Sequence, residues 1–202
     1  MNQEHAKRKA AYDSAPRVQV NTSHLQDAVL LPSRLAMLDA LPKSMRCLEV
    51  GVAKGDFSAE LLARCNPISL DLVDLWGDAR FGPGLEIVMS RFHQQINEGI
   101  VRLHQTASIE FLKENRSQIY DFIYIDTDHS YPTTREELRL AAGLITENGF
   151  LAGHDFTAGN VVDGVVYGVM PAVLEFCVEF NWRFFCLTVE PAGWNSFCLQ
   201  KI

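Results

Sequence analysis

The sequence predicts an α/β domain built on a mostly parallel sheet with helices on both faces. Three observations carry this reading. From Cys47 onward, short apolar runs alternate with stretches whose apolar residues recur at helical spacing. Residues 122–125 are nearly all apolar, as suits a central parallel strand covered on both faces. Residues 45–56 join a strand (Cys47, Leu48, Val50) to a helix start through a turn bounded by Gly51 and Gly55. Glycines at such a junction let the backbone approach a ligand, because no Cβ stands in the way.

Each element follows in order. Residues 1–22 lack sustained periodicity and are expected to form a loose arm or a short helix. Residues 25–41 are apolar at helical spacing; Pro32 splits them, and Ser33 suits the cap of a second piece over 34–40. After the glycine turn come a helix over 57–64, a strand over 68–74 and a loop over 76–84. Leu85, Val88, Met89, Phe92 and Ile96 share one helical face, which Gly99 ends. A third strand (100–103), a short helix (108–115) and the fourth strand (122–125) follow. Pro132 suits a first helical turn, and Leu138, Ala141, Ala142 and Ile145 form its buried stripe. Asn148-Gly149 turns the chain into a fifth strand over 150–153. Beyond Asp155 the alternation stops. A glycine-dotted loop (157–168) leads to a helix carrying Met170, Val173, Leu174, Cys177 and Val178. Two strands, 183–189 and 196–200, flank a turn at 191–194 and are expected to close the sheet edge as a hairpin. The expected organisation is an arm of N-terminal helices over 1–43 and one domain over 44–202.

A chain of 202 residues suffices for one such domain with a sizeable core. The net charge of −7 argues against nucleic acid as a partner, since phosphate binding uses clustered Lys and Arg. No run is long and apolar enough to span a membrane, and residues 1–16 lack the apolar run of a signal peptide. The five cysteines form no C-x-x-C pair and suit buried free thiols in a reducing compartment, so a cytoplasmic location is expected.

Ligands of open parallel sheets bind at the carboxyl ends of the strands, so the strand exits nominate the site. The first exit, Glu49-Val50-Gly51, opens the turn that continues through Val52 to Gly55. Ala53 fills the middle glycine of the dinucleotide pattern G-x-G-x-x-G. This points to a nucleoside ligand without a pyrophosphate and away from a nicotinamide-dependent oxidoreductase. The second exit, Asp74-Leu75-Trp76, offers a carboxylate for ribose hydroxyls; Asp71 is the rival by count but lies mid-strand. The third, Thr106-Ala107-Ser108, offers a serine that caps the next helix or faces a base. The fourth, Asp126-Thr127-Asp128-His129, and the fifth, Gly153-His154-Asp155, bring acids and imidazoles to adjacent strands. Such a meeting suits proton transfer or a divalent cation, with Asp126 and Asp155 as hard ligands and the histidines favouring transition metals; the bland alternative is a pair of polar loops with capping carboxylates. Trp76, Phe81, Tyr131, Phe156 and Trp194 lie near these loops and either wall a pocket or pack as core.

The combination of residues 48–51 (LEVG), 74–76 (DLW), 122–131 (FIYIDTDHSY) and 148–155 (NGFLAGHD) resembles the class I S-adenosylmethionine-dependent methyltransferases. Within them it is most similar to small bacterial members whose fourth strand ends in I-D-G-D-H-x-Y, with Thr127 here in place of the glycine. The resemblance implies a Rossmann-like, seven-stranded sheet of order 3-2-1-4-5-7-6 with the last strand antiparallel. It implies S-adenosyl-L-methionine as cofactor, with Glu49 and Gly51 at the methionine part, Asp74 at the ribose and Ser108 facing the adenine, and with Val52, Gly55, Leu75, Thr106, Ala107 and Asp126 as further cofactor-binding residues. It also implies Mg2+ or another divalent cation at Asp126, Asp155 and His154, and His129, neutral near pH 7, as general base beside Asp126. The implied reaction is methyl transfer to a small-molecule acceptor, at a hydroxyl oxygen. A second reading is a domain that holds the cofactor or its product without catalysis. Residues 1–40 are long enough to join a homodimer contact.

Overall fold

A computed structural model describes residues 3–77, 82–116 and 119–202. The N-terminal region forms helix α1 (Gln3–Ser14), the single turn α2 (Thr22–Leu25), strand β1 (Val29–Leu31) and helix α3 (Arg34–Ala40). The alternating region contributes β2 (Arg46–Val50), α4 (Asp56–Cys65), β3 (Ser69–Asp74), α5 (Gly84–Arg91), α6 (His93–Asn97), β4 (Val101–Gln105), α7 (Ser108–Glu114), β5 (Tyr120–Ile125), α8 (Tyr131–Ala142) and β6 (Ile145–Gly153). A small hairpin, β7 (Gly159–Asn160) and β8 (Val165–Val166), precedes α9 (Val169–Phe180), β9 (Trp182–Thr188) and β10 (Phe197–Lys201).

The main sheet runs β1-β9-β10-β6-β5-β2-β3-β4. Stripped of β1, this is the expected order, and β10 is antiparallel to both of its neighbours. The eighth strand is a departure. Residues 25–31 were expected to be helical, but the β-branched Val29 and its two leucines pair parallel with β9, Leu30 opposite Leu187. Residues 3–14 take the helical form of the two expected, with no buried side chain. Two smaller differences have local causes. The helix expected through Phe92 breaks there, at φ −112 and ψ 21, into α5 and α6. Asn148-Gly149 lies within β6, where the pairing with β5 shifts register between Tyr120 and Phe122. Of the loop expected over 76–84, residues 78–81, Phe81 included, lie outside the described residues.

Two apolar layers sandwich the sheet. Leu48, Val50, Ile123, Ile125 and Leu151 face α7, α8 and α9. Cys47, Leu72, Tyr124 and Ala152 face α3, α4 and α5 through Leu38, Phe57, Leu61 and Val88. Residues alternate between the layers along each strand because successive side chains point to opposite faces. No helix among the described residues is long and apolar enough to cross a membrane, and the five cysteines are free and buried.

Candidate active site at the carboxyl ends of the strands

The turn after β2 is held against the neighbouring strand exits. Gly51 N–H donates to the Val73 carbonyl (2.8 Å), and Asp126 N–H donates to that of Val50 (2.8 Å). Gly51 has φ +90, and a Cβ there would lie 1.8 Å from the Asp126 carbonyl oxygen, so only glycine fits. Ala53 adopts φ 51, a left-handed conformation that glycine takes without strain. Its carbonyl accepts from Trp76 Nε1 (2.8 Å), which makes Trp76 part of the turn's support.

Asp74 closes the same turn. Its Oδ2 accepts from the N–H groups of Val52 (2.8 Å) and Ala53 (2.9 Å), and its Oδ1 accepts from that of Trp76 (2.8 Å). A carboxylate has about four lone-pair sites, so roughly one is left for a ligand hydroxyl. Asp71 is committed elsewhere. Fully buried in mid-sheet, it accepts from Arg102 Nε (2.8 Å) and Nη2 (2.6 Å), His104 Nε2 (2.7 Å) and the Tyr120 hydroxyl (3.0 Å).

Glu49 is different: it is 1% exposed and its Oε2 has no hydrogen-bond partner. Burial pushes its pKa up to about 8. At the second exit Leu75 is exposed; at the third, the Thr106 hydroxyl donates to Glu110 (3.0 Å), Ala107 precedes α7, and Ser108 is the helix's first residue rather than its cap. Ser108 and Thr127 lie beside Glu137, a fully buried carboxyl whose pKa burial pushes up to about 7. Thr127 Oγ1 donates to Glu137 Oε2 (2.8 Å), while Oε1 has no partner.

The fourth and fifth exits converge. His129 Nε2 lies 3.1 Å from Asp126 Oδ1 and 2.9 Å from Asp155 Oδ2. Both His129 (φ 60) and Asp155 (φ 56) sit in the left-handed region, a strain that clusters at functional sites. Burial pulls the His129 pKa down, but the hydrogen bonds to Asp126 and Asp155 outweigh it and lift the value to about 9. The imidazole expected to be neutral near pH 7 is therefore an imidazolium here, because two carboxylates share it. Among the described residues, Asp126, His129 and Asp155 place three ligand atoms within 4.8 Å of one another, so they could hold a cation.

His154, expected as a cation ligand with Asp126 and Asp155, turns away from them. Its Nδ1 lies 3.0 Å from Ser196 Oγ and its Nε2 4.0 Å from Asp155, and burial lowers its pKa. Asp128 is used locally, accepting from Ser130 N–H (2.9 Å) and the Thr133 hydroxyl (2.9 Å) at the start of α8. Of the remaining aromatics, Phe156 packs edge-on against Phe184 and the Tyr131 hydroxyl donates to Glu175 (2.8 Å). Trp194 stands 6.1 Å from Tyr167, whose ring lies 4.7 Å from that of His129.

Sequence reasoning missed four residues here. Glu137 shares the buried face of α8 with Thr134, Leu138 and Ala141, so helical spacing alone would have found it. Tyr167 and Ser196 reach the site by tertiary packing, with no signal in their own segments. Arg34, noted only as the start of a helix, faces Tyr124 and Asp126.

A model of the methyltransferase domain matches residues 48–156, more than half of the chain. Among curated proteins, none matches. Spermidine synthase from Thermotoga maritima superposes with a TM-score of 0.57 at 16% identity, covering 83% of this chain and 57% of that one. This chain thus spans little more than half the length of that enzyme. A candidate rRNA methylase from Clostridium thermocellum gives a TM-score of 0.62 at 13% identity over 86% of this chain and 100% of its own. An O-methyltransferase family protein from Burkholderia thailandensis gives 0.59 at 14% identity over 83% and 55%. At these identities the structural likeness is one of fold. The match over residues 48–156, on this sheet order and these strand exits, carries the assignment: the chain belongs to the methyltransferase-domain family.

Proposed function

We propose that the chain transfers the methyl group to a hydroxyl oxygen of a small apolar or aromatic acceptor. The observation that carries this reading is the Asp126–His129–Asp155 cluster beside an apolar cavity. Tyr12, Val18, Val166, Tyr167, Met170 and Leu174 line part of this cavity of about 360 Å³, and Tyr167 is the residue it shares with the cluster. The residues at the β2 exit fit the donor, because Gly51 leaves no Cβ in the turn and Glu49 presents a buried carboxylate oxygen without a partner. When bound, S-adenosylmethionine supplies an electrophilic methyl group already activated on a sulfonium sulfur.

The protein's tasks are then alignment and proton removal. The turn around Gly51 and the Asp74 carboxylate orient the donor side. Tyr167 and the cavity orient the acceptor. His129, fixed between Asp126 and Asp155, takes the hydroxyl proton once its own has left, and the carboxylates stabilise the resulting imidazolium. The same three residues fit a divalent cation, which when bound would lower the pKa of the acceptor hydroxyl.

The test is turnover on a panel of phenols, catechols, aliphatic alcohols and amines, with donor consumption as readout. Turnover confined to hydroxyl acceptors, lost in His129→Ala, is expected. Methylation of nitrogen acceptors only, or full turnover in His129→Ala, would overturn the reading. Tight donor binding without turnover on any acceptor would favour a cofactor-holding domain. Chelation followed by Mg2+ or Mn2+ addition separates the metal-assisted form from the metal-free one.

A further inference from the structure

The donor site contains a cation that the methyl-transfer reading leaves without a task. Arg34 opens α3, outside the matched residues 48–156. Its backbone N–H donates to Glu190 Oε1 (2.5 Å), and its guanidinium carbon lies 5.3 Å from the centre of the Phe57 ring. Its side chain hydrogen-bonds the Tyr124 phenol, and Asp126 and Glu190 also act on it electrostatically.

Glu49 stands on the same side of the sheet. It pairs in register with Tyr124 of β5, and Phe57 stacks on Tyr124 with ring centroids 3.9 Å apart. The Phe57–Tyr124 stack thus carries a half-buried guanidinium over Phe57, and the buried Glu49 carboxyl, whose Oε2 has no partner, lies in register beside Tyr124. Arg34 contributes to the field at Glu49, yet the two do not close into an ion pair. Leaving a buried carboxyl oxygen unsatisfied is costly, and a site that does so is prepared for a partner it does not itself contain.

We propose that Arg34 completes the subsite for the zwitterionic α-amino-acid end of the methyl donor, binding its carboxylate while Glu49, at the methionine part by resemblance, faces its ammonium. The proposal rests on the donor site described above and adds a residue to it from outside the matched domain. The chemistry suits both ends. A guanidinium offers a planar fork that matches a carboxylate, and an ammonium offers three donors to an acceptor-only oxygen. Burial holds the Glu49 carboxyl largely neutral until a cation arrives, which makes this end responsive to the ammonium. The site therefore discriminates against donors that have lost the carboxylate.

Calorimetric titration of the full chain with three ligands tests this. S-adenosylhomocysteine carries both charged groups, its decarboxylated analogue keeps only the ammonium, and 5′-methylthioadenosine has neither. The wild-type chain is expected to bind S-adenosylhomocysteine roughly 10- to 100-fold more tightly than the decarboxylated analogue, the range expected for a charged hydrogen bond. Arg34→Met should erase that gap while leaving the other two affinities within a few-fold, and Arg34→Lys should restore part of it. Glu49→Gln should weaken both ammonium-bearing ligands and spare methylthioadenosine. If Arg34→Met weakens all three ligands equally, Arg34 is a packing residue and the inference fails. Equal wild-type affinity for S-adenosylhomocysteine and its decarboxylated analogue also sinks it, while leaving the donor site standing. A wild-type chain that binds none of the three overturns the donor site itself.

Discussion

Two carboxylate–imidazole clusters lie within this one sheet, and they are built on opposite principles. Asp71 meets a guanidinium, an imidazole and a phenol, so one carboxylate is supplied by several donors in mid-sheet. At the strand ends the ratio reverses, and Asp126 and Asp155 compete for a single His129 nitrogen. The titration follows the ratio. Burial would raise the Asp71 pKa, but the hydrogen bonds from Arg102 and His104 hold it down at about 2, whereas His129 is lifted to about 9. A surplus of donors makes a closed structural knot. A surplus of carboxylates makes a site that still seeks a proton, a cation or a ligand. The useful signal is therefore the imbalance of donors and acceptors around a charge, not the presence of the charge.

Four experiments would break or sharpen that contrast. The largest effect is expected from His129→Ala, which should lower turnover about 10²- to 10⁴-fold in a steady-state assay while the melting temperature moves little. Asp71→Asn should do the reverse. It takes the carboxylate partner from a half-exposed Arg102 and is expected to cost about 1–3 kcal/mol in denaturant unfolding, with S-adenosylhomocysteine affinity retained by the folded fraction. If Asp71→Asn abolished donor binding in folded protein, the two clusters would not be separable.

The third concerns pH. Asp71 has a folded-state pKa below its unfolded value, so its contribution is fully present above the unfolded pKa of about 4. That contribution is lost as pH falls through about 2, and its size is of order 2 kcal/mol. Urea melts between pH 5 and pH 2 should show a decline that is shallower in Asp71→Asn; parallel curves would remove Asp71 from the acid response. The smallest effect belongs to Ala53→Gly. Relief of the left-handed strain at φ 51 is expected to stabilise the chain by about 1 kcal/mol in thermal unfolding, with donor affinity unchanged or slightly improved.

Much of the fold was readable from the residues. The apolar strands, the glycine turn and the switch from alternation to a closing hairpin all rest on local patterning, and the sheet order follows the resemblance those patterns carry. What escaped was set by competition between distant segments. Residues 29–31 suit a helix by periodicity but take the free edge of β9, because an unpaired strand edge offers hydrogen bonds that a short isolated helix cannot match. At the site, the strand-exit rule nominated Glu49, Gly51, Asp74, Ser108, Asp126, His129 and Asp155. It could not separate His129 from His154, because both histidines follow a strand end within four residues.

By itself the sequence determined the α/β class, the glycine that the turn after β2 requires, and the set of exits from which a site is assembled. Those features depend on side-chain period and on backbone conformations that few residues adopt. Only the tertiary structure decided which charges are satisfied. It turned Asp74 onto the loop, closed Asp71 with donors from β4 and β5, left Glu49 Oε2 alone and brought Arg34 toward it from α3. Hydrogen-bond satisfaction depends on angstrom-scale distances between residues far apart in the chain, and no local pattern encodes those distances.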